Sequence, residues 1–127
     1  MQRRFRLTRS EDFKRVRRSG KSYAHPLVVL IVKKSDQPHV RVGVAAGRTV
    51  GTAVVRNRAK RLLREAIRTM IPNIALQHGS ASQDNASNLD LILIARAGLA
   101  AASLDDTRQA VQNLLHRARI LTPVHES

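Results

Sequence analysis

One stretch constrains the fold more than any other: Val54-Val55-Arg56-Asn57-Arg58-Ala59-Lys60-Arg61-Leu62-Leu63-Arg64-Glu65-Ala66-Ile67-Arg68. On a helix turning about 100° per residue, Val55, Ala59, Leu62, Leu63, Ala66, Ile67 and Met70 form one continuous apolar face. Asn57, Lys60, Arg61, Arg64 and Arg68 gather on the opposite face. The apolar side must be buried in a layered core. The basic side repels itself, because Lys60, Arg64 and Arg68 follow one another at i, i+4 spacing, and each such pair costs a helix about 0.2–0.5 kcal/mol. Glu65 is the sole acid within the stretch. A solvated basic face would account for the charge but poorly for Asn57 between two arginines. An external polyanion accounts for both.

The chain-wide charge agrees. The 127 residues carry 23 Lys/Arg against 9 Asp/Glu, a formal net charge of +14, with a pI near 11.8. Such a balance points to nucleic acid, or less often to an anionic membrane surface. The excess is confined to two segments. Residues 1–21 hold nine bases and two acids, and residues 41–68 hold eight bases and one acid. The rest balances to zero and reads as scaffold. With no cysteine there is neither a disulfide frame nor a zinc finger. The basic start of the chain leads into no apolar signal segment, and the longest apolar run, Leu27 to Val32, is too short to span a bilayer. We expect a single domain in the cytoplasm, with no membrane association.

Around the central helix the pattern predicts the order α-β-β-α-β-α, an α+β two-layer sandwich. Residues 1–7 read as a basic, extended arm. Thr8-Arg9-Ser10-Glu11 has the form of a capping box for a first helix ending near Arg18, with Gly20 as a left-handed terminator. Lys21 to Lys34 reads as strand interrupted at His25-Pro26, and Val40 to Ala46 as its hairpin partner. Pro72 is expected to end the central helix, and residues 77–88 to form a flexible loop. Leu89 to Ala95 reads as a third long strand. Ser103 caps a last helix whose buried stripe is Leu104, Val111, Leu114, Leu115 and Ala118.

Catalytic groups are harder to find. A nuclease acting through its own side chains needs clustered carboxylates for metal ions or a histidine pair. The basic segments offer only Glu11, Asp12 and Glu65, and the five histidines share neither metal-ligand spacing nor a helix face. No catalytic residue and no protein metal site is expected. Phe5, Phe13 and Tyr23 are the only aromatics, all within or beside the first basic segment. An aromatic among arginines is a platform for stacking single-stranded bases, although Phe13 equally suits a core anchor for the first helix.

The motifs Arg41-Val42-Gly43-Val44, Gly51, and Val54 to Arg68, together with Leu7-Thr8-Arg9-Ser10-Glu11-Asp12-Phe13 and Gly20-Lys21-Ser22, closely resemble the bacterial ribonuclease P protein subunit. The similarity runs in order from residue 4 to about residue 121. The resemblance implies a sandwich like ribosomal protein S5 domain 2, with a left-handed βαβ crossover through the basic helix. It implies a catalytic ribonuclease P RNA and precursor tRNA as partners, and no required protein oligomer. Chemistry that removes the 5′ leader would belong to the RNA and its Mg2+. By position, Arg56, Asn57, Arg58, Lys60, Arg61, Arg64 and Arg68 become the catalytic-RNA-facing set, and Phe13, Arg9, Arg17 and Tyr23 the leader-binding set. The chain departs from the family pattern at Ala46-Gly47-Arg48, where Ser-Lys-Lys is common, and at Thr52 and Val55. It also has fewer aromatics, so leader contacts are expected to rest more on charge. A ribosomal protein or RNA chaperone of similar fold is the alternative. A major-groove DNA reader fits less well, because the basic arc is broader than one groove edge.

Overall fold

The computed structural model describes residues 6–35, 39–78 and 88–120. Four strands form one mixed sheet in the order β1-β2-β4-β3. β1 (Lys21–Ala24) and β2 (Val28–Ser35) are antiparallel neighbours. β2 runs antiparallel to β4 (Asn88–Ala95), from Val28 opposite Ala95 to Ser35 opposite Asn88. β3 (Arg41–Ala46) lies parallel to β4 on its far side. The expected hairpin between β2 and β3 is therefore not formed, because β4 is inserted between them. The interruption at His25-Pro26 supplies the hairpin instead. Backbone bonds His25 N–H to Val28 carbonyl (2.9 Å) and Val28 N–H to His25 carbonyl (3.3 Å) close the β1–β2 turn.

Side-chain character explains the order. β2 and β4 are apolar on both faces and take the middle, where both faces are covered. Leu30, Leu91 and Leu93 point into a large core with Ala59, Leu63 and Ile67 of α2 (Ala53–Arg68) and Val111, Leu114 and Leu115 of α4 (Leu104–Arg117). Ile31 and Ile92 point the other way, into a smaller core with Leu7 and Val16, where Val16 belongs to α1 (Ser10–Ser19). Helices thus lie on both faces of the sheet, and the expected two-layer arrangement becomes three layers.

Local expectations fared unevenly. Ser103 caps α4 as expected, accepting from the Asp106 N–H at 2.9 Å, and Thr52, not foreseen as a cap, accepts from the Val55 N–H at 3.4 Å at the start of α2. The capping box on α1 is absent. Arg9 holds the N-cap position in extended conformation, with no side-chain cap. The chain is still leaving β3 at that point, since Arg6 bridges Val42 and the Leu7 N–H donates to the Val42 carbonyl at 2.8 Å. The arm is therefore anchored at residues 6 and 7, whereas residues 1–5, Phe5 among them, lie outside the described residues. Gly20 is extended rather than left-handed (φ −80°, ψ 166°). Glycine is required there by close approach, as a Cβ would stand 2.6 Å from the Val16 carbonyl oxygen and 2.7 Å from Ile31 Cγ2.

The basic helix ends at Arg68, and a further helix that sequence reasoning missed, α3 (Ile71–His78), follows it. Pro72 sits in the first turn of α3, where a backbone N–H has no helical acceptor, so proline is accommodated at a start and not only at a stop. Gln77 and His78 belong to α3 and Asn88 to β4. The rest of the expected 77–88 loop lies outside the described residues.

Candidate nucleic-acid interface

α2 presents its two faces as its periodicity requires. Ala59, Leu63, Ala66 and Ile67 are fully buried, while Asn57, Arg58, Arg61, Arg64 and Arg68 are exposed and Arg56 and Lys60 are half-buried. Arg56 Nη1 donates to the Gly51 carbonyl at 3.3 Å, which fixes its guanidinium beside the helix start. Arg68 Nη2 pairs with Glu65 Oε1 at 3.1 Å. Among the described residues Glu65 pairs with Arg68 and not with Arg61, so the helix surface keeps nearly all of its cations uncompensated.

A second feature adjoins this face. An open cleft of about 220 Å³ is lined by Arg6, Leu7, Thr8, Phe13, Val42, Gly43, Val44 and, from α2, Arg64. Its floor depends on a missing side chain. A Cβ on Gly43 would lie 2.6 Å from Phe13 Cε2, so the ring rests directly on the β3 backbone. Phe13 is therefore both a packing residue of the smaller core and a wall of the cleft. The two readings of Phe13 are compatible.

The structure brings only part of the sequence-derived leader set together. Arg9 and Arg17 are exposed one helical turn on either side of Phe13. Tyr23 lies elsewhere: it packs against the large core on the opposite sheet face. Strand alternation is the reason, because Tyr23 pairs with Leu30, whose side chain points toward α4, and not with Ile31 beneath α1. Arg64, assigned from the sequence only to the helix face, also reaches the cleft. It joins the two features.

Sequence reasoning also missed a network beside Phe13. Arg41 on β3 grips Asp90 on β4 with two bonds, Nε to Oδ1 at 2.9 Å and Nη2 to Oδ2 at 2.8 Å. Its Nη1 reaches Asp12 of α1 at 3.3 Å, and Arg15 pairs with Asp12 at 3.1 Å and Asp90 at 3.6 Å. The hydrogen bonds to Asp90 hold the Arg41 guanidinium further into its charged range, against an opposing push from burial. Asp90 is 1% exposed. The available signal was an acid inside an otherwise apolar strand, which demands a cationic partner.

Asp12 and Asp90 are engaged by arginines, and among the described residues no three His, Cys, Asp or Glu side chains gather where a metal could bind. No helix among the described residues is long and apolar enough to cross a membrane. What the geometry offers is a cationic helix face leading into a cleft with an aromatic wall.

The chain matches the family model described as Ribonuclease P over residues 1–119. It is 39% identical to the ribonuclease P protein component of Herpetosiphon aurantiacus, over 94% of this chain and 89% of that one. It is 36% identical to that of Brevibacillus brevis, over 98% and 93%. Among solved structures, the RNase P protein of Thermotoga maritima in complex with 1-(4-fluorophenyl)-2-thiourea superposes with a TM-score of 0.70 at 27% identity, covering 88% of this chain and 98% of that one. A Staphylococcus aureus RNase P protein shares the fold with a TM-score of 0.75 at 24% identity, covering 93% and 98%. With the family model spanning nearly the whole chain and relatives above 30% identity covering it, this chain belongs to the ribonuclease P protein family.

Proposed function

We propose that the exposed face of α2 docks on the catalytic RNA while the Phe13 cleft receives the 5′ leader of precursor tRNA. As a family member, the chain is the accessory protein subunit of a ribonucleoprotein endonuclease; it binds RNA and assists leader removal, and RNA performs the chemistry. The observation that carries the division into two surfaces is the position of Arg64. It belongs to the cationic face of a helix whose other face buries Ala59, Leu63, Ala66 and Ile67, yet lines the same cleft as Phe13. Two RNA segments can meet there with their phosphates neutralised at the junction. Arg56, Asn57, Arg58, Lys60, Arg61 and Arg68 would hold the catalytic RNA, and Phe13 with Arg9 and Arg17 the leader.

In this reading Mg2+ stays with the RNA, and the protein lowers the repulsion between two polyanions, reducing the Mg2+ they need. A cytoplasmic location accompanies that role. The parallel β3–β4 pair, with α2 in the connection between its strands, supports the kinship with ribosomal protein S5 domain 2, and the left-handed sense of that crossover is part of the proposal. The test is cleavage of leader-bearing tRNA by a ribonuclease P RNA at low Mg2+, with and without protein. A rise in rate or substrate affinity that grows with leader length is expected. An unchanged rate sinks the reading, and binding indifferent to the leader would favour the alternative of a ribosomal protein or RNA chaperone.

A further inference from the structure

The charge-balanced part of the sequence contributes Arg96 and Arg117 to a basic cluster that Lys21 completes at the free edge of the sheet. β1 is an edge strand, and the outward-facing carbonyl of Ala24 accepts a bond from Arg117 Nη1, from the end of α4, at 2.6 Å. Arg96, just past β4, donates from Nη1 to the carbonyl of the next residue, His25, at 3.4 Å. Lys21 places its Nζ over the Tyr23 ring, 5.7 Å from the centroid. Lys21, Arg96 and Arg117 are exposed and Tyr23 is partly so. None of these cations forms an ion pair among the described residues, whose salt bridges involve Arg15, Arg41 and Arg68. Asp105 and Asp106 stand in the first turn of α4, at its opposite end from Arg117.

We infer that this edge is a second contact for single-stranded RNA, separate from the Phe13 cleft, with Tyr23, Lys21 and Arg117 as its core. Each anchored arginine spends one N–H on a backbone carbonyl and keeps the rest of its planar fork for a phosphate, already held in place. The lysine over Tyr23 is a placeholder. A stacked base gains more on an exposed ring than an ammonium does, so a base can take the ring and release Lys21 to the adjoining phosphate. The sheet lies between Tyr23 and Phe13, so one nucleotide cannot occupy both sites. The strand bound here is either the distal part of a long leader or an unpaired segment of the catalytic RNA.

The inference rests on the chain acting as an RNA-binding subunit, which the parent protein tests in the same assay. Full-length protein is assembled with a ribonuclease P RNA, and affinities are measured for that RNA and for precursor tRNAs with leaders of increasing length. The variants are Tyr23→Leu, which keeps an apolar core contact, and the pair Lys21→Gln/Arg117→Gln, with folding checked by thermal melting. At least one RNA should bind about 5- to 10-fold more weakly, and the salt slope of the charge variant should fall by about 0.7 per lost single-strand phosphate contact. The effect should multiply with that of Phe13→Ala. Loss restricted to long leaders assigns the strand to the substrate, and loss for the catalytic RNA at every leader length assigns it to that RNA. Folded variants that bind both RNAs as the parent does overturn the inference. A parent that binds neither overturns the functional reading itself.

Discussion

Arg41 and Asp90 are directly opposite one another on the parallel strands β3 and β4 and share two hydrogen bonds, at 2.8 and 2.9 Å. The pair faces α1, whose Asp12 and Arg15 extend it. α1 buries only Val16 completely, so apolar contact alone holds it weakly. The ion network fixes the first turns of the helix, and Phe13 is the immediate neighbour of Asp12. Removing the acid from this network leaves a largely buried guanidinium with one weaker partner. We expect Asp90→Ala to destabilise the protein by about 3 kcal/mol, the lower end of the range for breaking a buried pair, as read by urea unfolding. Arg41→Met with Asp90→Leu should cost clearly less. The sign of the pH dependence follows from the raised Arg41 value. A raised folded pKa contributes stability at every pH below the ordinary arginine range and loses it only above, so a stability scan from neutral to pH 10 should show no loss from this group.

Gly43 sets the distance between Phe13 and the sheet. Gly43→Ala puts a methyl group 2.6 Å from the ring and 3.0 Å from the Leu7 carbonyl, so the ring must tilt into the cleft. A cost of about 1–3 kcal/mol is expected from overpacking, together with weaker binding of precursor tRNA and unchanged binding of the catalytic RNA. Adding Phe13→Leu should recover stability but not leader affinity. Gly47→Ala serves as the control, because no atom lies within 4 Å of its Cβ position. Equal stability losses at both glycines would contradict this account.

Arg64 and Arg68 are both exposed on α2, but only Arg64 reaches the cleft. Arg68→Ala should weaken the catalytic RNA complex alone, and Arg64→Ala both that complex and precursor tRNA binding, each by about 5- to 10-fold. Salt titrations should show a slope reduced by roughly 0.7–0.9 for each lost phosphate contact. Parallel losses for the two variants in both assays would argue against a junction at Arg64.

The caps on α2 and α4 differ in quality. Ser103 accepts at 2.9 Å and Thr52 at 3.4 Å, beyond good hydrogen-bond geometry. Ser103→Ala should therefore cost about 1 kcal/mol and Thr52→Ala measurably less, by thermal melting of the free protein. Saturating catalytic RNA should mask a loss at Thr52 more than one at Ser103, because bound RNA holds the start of α2.

The amphipathic period of Val54–Arg68, the both-face apolar runs of β2 and β4, and the confinement of excess charge to two segments needed no coordinates. Each follows from residue spacing within a single element, and together they specified an α+β fold with a cationic helix. Pairing across the sheet did not follow. A hairpin between β2 and β3 looked natural because nearby segments meet at low entropic cost, but burying β4 on both faces outweighs that proximity. Once β4 is central, everything at the site depends on register. Asp90 meets Arg41, Gly43 comes beneath Phe13, and Tyr23 turns to the other face because it is one residue out of phase with Ile31's partner, Ser22. Local periodicity determined which side of each element is basic or buried. Only long-range strand pairing decided which of those sides share a cleft, since a shift of one residue in a strand exchanges its two faces.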